Sequence, residues 1–173
     1  MTKVLAIPAL LLVIACSGSD DDTGGVTPPS GSTDVTDATL SALARASTGW
    51  TYYKNRSDTL LRSVQSGHAE ARLRTRFNAR AATLLDANGK VRAGASFPDS
   101  SLIVKELIIG GALNRYAVMY KLRGSATAGT GGWLWAYYAP DGSPQIAIAG
   151  RGTACQGCHG AGIDHVRMND SHP

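Results

Sequence analysis

The sequence predicts an α+β domain, a mostly antiparallel β-sheet flanked by a few helices. Three observations lead there. The runs "SLIVKELIIG", "RYAVMYKLRG" and "GGWLWAYYAPDG" are rich in β-branched, aliphatic and aromatic residues and follow one another with short connections. Strands joined that closely pair antiparallel. Helical spacing, by contrast, is confined to short stretches, which leaves helices as flanking elements gathered on one side of the sheet.

Taken in chain order, residues 38–46 place Leu40 and Leu43 at helical spacing, with Thr39 or Asp37 as the cap and Gly49 as the stop. In residues 70–77, Leu73, Thr75 and Phe77 alternate with Arg72, Arg74 and Arg76, which puts three guanidinium groups on one side of a strand. Two readings of that stripe stay open: a solvated face, or Arg forks that pair with the carboxylates of a bound cofactor. Residues 78–85 read as a second helix ended by Asn88-Gly89. Residues 101–110 read as the central strand, stopped by a glycine pair. Its alternation sets Ile103, Lys105, Leu107 and Ile109 on one face and Leu102, Val104, Glu106 and Ile108 on the other. Lysine and glutamate are almost never buried without a partner, so each needs a pairing, a task or a route to solvent. Two further strands begin at Arg115 and Gly131, the latter closing on a Pro-Asp-Gly turn, and residues 145–149 form a short return strand. The aromatic block Trp133, Trp135, Tyr137 and Tyr138 belongs to the core, and part of it can line a pocket for a large planar ligand.

The N-terminus is read as a targeting segment. Lys3 supplies a positive start, and residues 4–15 form an apolar run too short to span a bilayer as a mature helix. The run ends in "VIAC", which resembles the lipobox of bacterial lipoproteins and makes Cys16 the lipidated first residue of the mature chain. An ordinary cleaved signal is the alternative. Ser17, not an acidic residue, follows the cysteine, which by resemblance to the enterobacterial sorting rule directs the chain to the periplasmic side of the outer membrane. Residues 16–37 have almost nothing apolar to bury and form a flexible tether, Asp20-Asp21-Asp22 included. Residues 38–173 remain as one domain of ordinary size without visible repeats. The net charge of +4 is mild, and an exported lipoprotein has no nucleic-acid partner to meet.

Near the end of the chain, Cys155-Gln156-Gly157-Cys158-His159 has the C-x-x-C-H form by which c-type haem is attached covalently, two thiols adding to the vinyl groups and the histidine ligating iron. A thioredoxin-like motif would open a long helix, but only fifteen residues follow Cys158. A structural zinc site would need further ligands, for which only His165 and His172 are near. A simple disulfide is the third alternative. Electron-carrying cytochromes place this motif early and a methionine ligand far downstream. Here Met168 lies only nine residues past His159 and Met119 lies in a strand, so His159 is expected to be the only protein ligand and the sixth position to be open.

Together, "FPDSSLIVKEL", "GGWLWAYYAPDG", "CQGCH" and "IDHV" resemble the cytochrome P-460 family in content, order and spacing. The resemblance covers residues 49–166 and implies a mostly antiparallel fold holding one haem c, often as a homodimer. It also implies that Lys105, in the V-K-E-L strand, bonds covalently to a haem meso carbon. The other reading of Lys105, a lysine that reaches solvent or a propionate, stays open. Phe97 corresponds to a phenylalanine that leans over the distal face, and Arg72 or Arg74 would meet a propionate or a distal ligand. The family's enzymes oxidise hydroxylamine and pass electrons to a periplasmic acceptor, whereas a relative without the crosslink, cytochrome c′-beta, binds nitric oxide. The enzymes carry a distal carboxylate in the strand after the lysine; residues 115–123 here contain neither Asp nor Glu. Two expectations follow: an oxidoreductase acting on hydroxylamine or a related small nitrogen species, or a non-enzymatic haem protein that traps nitric oxide or passes electrons.

Overall fold

A computed structural model describes residues 35–168. The signal segment, Cys16, most of the tether and His172 lie outside the described residues. Three short helices flank a seven-stranded antiparallel sheet: α1 (Asp37–Arg45), β1 (Trp50–Tyr52), β2 (Leu60–Leu61), β3 (Arg72–Asn78), α2 (Ala79–Ala82), β4 (Leu102–Ile109), β5 (Ala112–Lys121), β6 (Trp133–Tyr138), β7 (Pro144–Ile146) and α3 (Thr153–His159). The strand order is β1-β3-β4-β5-β6-β7, and β2 pairs with β3 beside β1. β4 is central, as its apolar run predicts, and Gly110 and Gly111 turn it into β5 with φ of 59° and 84°, which suits the tight hairpin only glycine enters freely.

Strand alternation divides the interior into two cores. Leu102, Val104, Val118, Tyr120, Leu134, Ala136 and Tyr138 pack with Leu40 and Ala44 of α1 on one face. Phe77, Ile103, Met119, Trp133 and Trp135 pack on the other, with Phe97, Val166, Met168 and Cys155. The helices are therefore not gathered on one side. α1 covers the first face, while Ala81 of α2 and Cys155 of α3 belong to the second.

Several local expectations are corrected by side-chain bonding. Thr36 caps α1, its hydroxyl accepting from the Thr39 backbone N–H at 3.1 Å, while Asp37 accepts instead from the Tyr138 hydroxyl and the Ile148 backbone N–H. Val35, just before α1, is buried in the core on the α1 face. The second helix is a single turn capped by Asn78. It stops because Asp86 and Gly89 build a turn that folds 84–92 back on itself, with Asp86 N–H donating to Lys90 and Arg92 N–H to Leu84. β1 and β2, three and two residues long within "GWTYYKNRSDTL", carry too little periodicity to be read from sequence.

The arginine stripe lies on the α1 face. Arg74 Nε donates to Glu106 Oε2 at 2.5 Å and Nη1 to Ser57 O at 3.0 Å. Arg76 meets Glu106 Oε1 at 3.3 Å, donates to the carbonyls of Ala44 and Ala46 at the end of α1, and stacks 4.4 Å from the Trp50 ring centroid. A cation at a helix C-terminus satisfies carbonyls that have no partner within the helix. Arg72 bonds the hydroxyl and carbonyl of Thr59. Both Glu106 and Arg76 are buried, so Glu106→Leu leaves Arg76 without its carboxylate. We expect a loss of about 3 kcal/mol in unfolding free energy, read from urea denaturation. A loss below about 1 kcal/mol would mean that the two α1 carbonyls suffice for Arg76.

Candidate functional site

α3 places Cys155, Cys158 and His159 at i, i+3 and i+4, so all three side chains share one face of the helix. That face lies against the second core. Gly152, with φ of 67°, starts α3 where a Cβ would come within 2.2 Å of the Trp135 indole; glycine lets the helix rest on the sheet there. The His159 ring then meets Trp135 edge-on, with centroids 4.8 Å apart. Cys155 and Cys158 are free thiols.

His159 Nδ1 is 2.9 Å from the carbonyl oxygen of His165. A carbonyl only accepts, so Nδ1 carries the proton and Nε2 keeps its lone pair. Burial pushes His159 down to about 4, against a smaller upward pull from the His165 carbonyl, so the ring is neutral at pH 7. A neutral imidazole with Nδ1–H tied to a backbone carbonyl is the arrangement of a metal-ligating histidine.

The three residues open onto a solvent-connected cavity of about 170 Å³. Ile103, Met119, Trp135 and Val166 give it apolar walls. Lys105 lines the same cavity from the centre of the sheet, opposite Thr75 and Ala117 in the neighbouring strands. It has no hydrogen-bond or ion-pair partner among the described residues. Burial pushes its amine down to about 8. The Thr75 hydroxyl directly across from it is also buried without a partner. Lys105 and Glu106 thus diverge as alternation requires, the carboxylate into an ion-pair network and the amine into the cavity.

Sequence reasoning missed two polar contributors. His68 lines the cavity with Nδ1 at 2.7 Å from the Tyr137 hydroxyl, and Tyr137 lines it too. Burial, reinforced by Lys105, pushes His68 down to about 3, and burial pushes Tyr137 up to about 12, so both are neutral at pH 7. Behind them the Arg115 guanidinium lies 4.6 Å from the Tyr137 ring centroid and pairs with Glu70 at 2.6 Å. Burial would raise the Glu70 carboxyl, but the bonds from Arg115 and Asn114 outweigh it and hold it below the usual carboxylate range. The second is Arg167, which lines the cavity and donates to the Cys158 carbonyl at 3.1 Å. His68 lies in a segment without periodicity and carries no sequence signal. Arg167 had one, its place directly after "IDHV".

The remaining expected residues fall elsewhere. Arg72 and Arg74 are on the opposite face of the sheet, engaged by Thr59, Ser57 and Glu106, and do not reach the cavity. Phe97 is fully buried, edge-on to Trp133 at 5.6 Å, and is not among the cavity-lining residues. Met119 and Met168 do line it, although chain spacing alone placed neither well for that. Among the described residues no three His, Cys, Asp or Glu side chains converge as a metal centre, and no helix is long and apolar enough to cross a membrane. No family model matches the chain, and no curated protein matches it.

Proposed function

We propose that the protein is an exported c-type haem protein with an open distal site, an oxidoreductase acting on hydroxylamine or a related small nitrogen species. One observation carries the reading: Cys155, Cys158 and a tautomer-locked His159 share a helix face that opens onto the same apolar cavity as the partnerless amine of Lys105. These residues fit the group. The two thiols would hold haem c through thioethers, His159 Nε2 would ligate the iron, and Arg167, which lines the cavity, would be a cation available to a propionate. Bound there, haem supplies a redox-active iron with a coordination position for a small nitrogen compound.

The chain's own residues supply the rest. Trp135, Ile103, Met119 and Val166 give the ligand apolar walls, and His68, held by Tyr137, presents a neutral imidazole as a hydrogen-bond partner for a small polar ligand. The export signal, the Cys16 anchor on the periplasmic side of the outer membrane and a periplasmic electron acceptor belong to the same proposal.

A second reading, a non-enzymatic carrier of nitric oxide or electrons, is favoured by two observations. No carboxylate lines the cavity among the described residues, and the Met119 and Met168 thioethers do line it. The ferric absorption spectrum and a turnover assay separate the readings. We expect a high-spin spectrum unchanged by Met119→Leu or Met168→Leu, with hydroxylamine oxidised in the presence of an artificial acceptor. A low-spin spectrum that turns high-spin in one methionine variant would make the protein an electron carrier. A high-spin spectrum with nitric oxide binding and no turnover would make it a nitric oxide trap.

A further inference from the structure

The carbonyl that holds His159 comes from an unusual piece of backbone. Asp164 and His165 are consecutive non-glycine residues with φ of 46° and 65°, and each left-handed residue costs about 1–2 kcal/mol. Such a conformation persists only where the surroundings over-determine it. Here they do so at Asp164. Lys121 Nζ, at the end of β5, donates to Oδ1 at 2.8 Å and Oδ2 at 2.9 Å; the Phe97 backbone N–H donates to Oδ2 at 2.7 Å; and the Trp133 indole N–H donates to the Asp164 carbonyl at 2.8 Å. Lys121 is 1% exposed, an expensive place for an ammonium, and it lies 4.8 Å from the Trp133 ring centroid. All these donors belong to β5, β6 or the segment leading into β4, so the clamp ties a strained loop to the rigid sheet. Gly131 completes the fit, since a Cβ there would come within 2.4 Å of the His165 ring.

The geometry points to Lys121 and Asp164 as the pair that positions His159. They touch no ligand. By holding the 164–165 peptide they aim the His165 carbonyl at His159 Nδ1, which sets the tautomer, the ring orientation and the basicity of Nε2. The inference rests on His159 being the iron ligand and adds what tunes it.

The test uses the haem-loaded full chain with Asp164→Ala and Lys121→Met, and reads the midpoint potential and the iron–imidazole stretching frequency. With the carbonyl displaced, Nδ1–H loses its acceptor and Nε2 becomes a weaker donor. The potential is expected to move positive and the stretching frequency to fall in both variants, with haem content unchanged, and Asp164→Asn, which keeps an acceptor for the Phe97 N–H, should shift each less. If the single variants do not fold, Lys121→Met combined with Asp164→Leu removes both charges together and carries the same measurement. Folded, loaded variants with wild-type potential and stretching frequency overturn the inference. Should the wild-type chain prove to carry no haem, the functional reading fails by itself, and the clamp is then read from the ¹⁵N shifts of His159. A loss of the Nδ1–H tautomer in the variants upholds it, and an unchanged tautomer overturns it.

Discussion

Cys155→Ser combined with Cys158→Ser is expected to abolish covalent haem altogether. Produced with a cytochrome c maturation system, the wild-type chain should keep its haem through denaturing electrophoresis and show the added mass of one haem, while the double variant should run as bare polypeptide. The reason is geometric. Two thiols one helical turn apart line the same cavity as the imidazole that meets Trp135 of the sheet. Burial pushes the Cys155 thiol up, so it is a protonated, unpaired sulfur at neutral pH. Each single variant keeps one attachment and should retain reduced amounts of haem. His159→Ala should retain the thioethers and lose the native axial ligation, seen as a changed ferric spectrum. Wild-type protein with a Cys155–Cys158 disulfide or bound zinc, and no haem, would remove the basis of the functional reading.

Lys105→Ala and Lys105→Arg are expected to keep both thioethers and His159 ligation, yet to lose a red-shifted ferrous Soret band and to lower hydroxylamine turnover at least about 100-fold. The strand alternation sends Lys105 into the cavity without a counter-ion, and burial pushes its amine down to about 8. Far more of it is therefore free, nucleophilic amine at neutral pH than of an ordinary lysine. A bond to the haem periphery, which would replace a meso C–H hydrogen and release two protons and two electrons to an external oxidant such as peroxide, would remove the remaining cost of a half-buried ammonium and distort the macrocycle, one of the ways a protein tunes haem reactivity. Peptide mapping by mass spectrometry decides it. If the haem peptide contains only the Cys155 to His159 segment and Lys105 appears unmodified, the enzyme reading gives way to nitric oxide binding.

What the sequence by itself determined is the information carried by short periods and fixed spacings. The apolar run in "SLIVKELIIG" was enough to make β4 central, and its alternation to separate Lys105 from Glu106, because a strand's side-chain period is two whatever surrounds it. The C-x-x-C-H spacing was enough to put two thiols and an imidazole together, since all three lie within two turns of one helix. What only the tertiary structure decided depends on residues distant in the chain. The arginine stripe faced either solvent or a cofactor until the end of α1 arrived to supply carbonyls for Arg76, and Glu106 to pair with Arg74. His68 becomes a cavity residue only because Tyr137, 69 positions on, offers it a hydroxyl. The acceptor that fixes the His159 tautomer depends on Lys121, 43 positions before Asp164, with which it pairs. Hydrogen bonds and ion pairs between segments far apart leave no periodic trace in a sequence, and they are what turned a legible motif into a site with a defined protonation state.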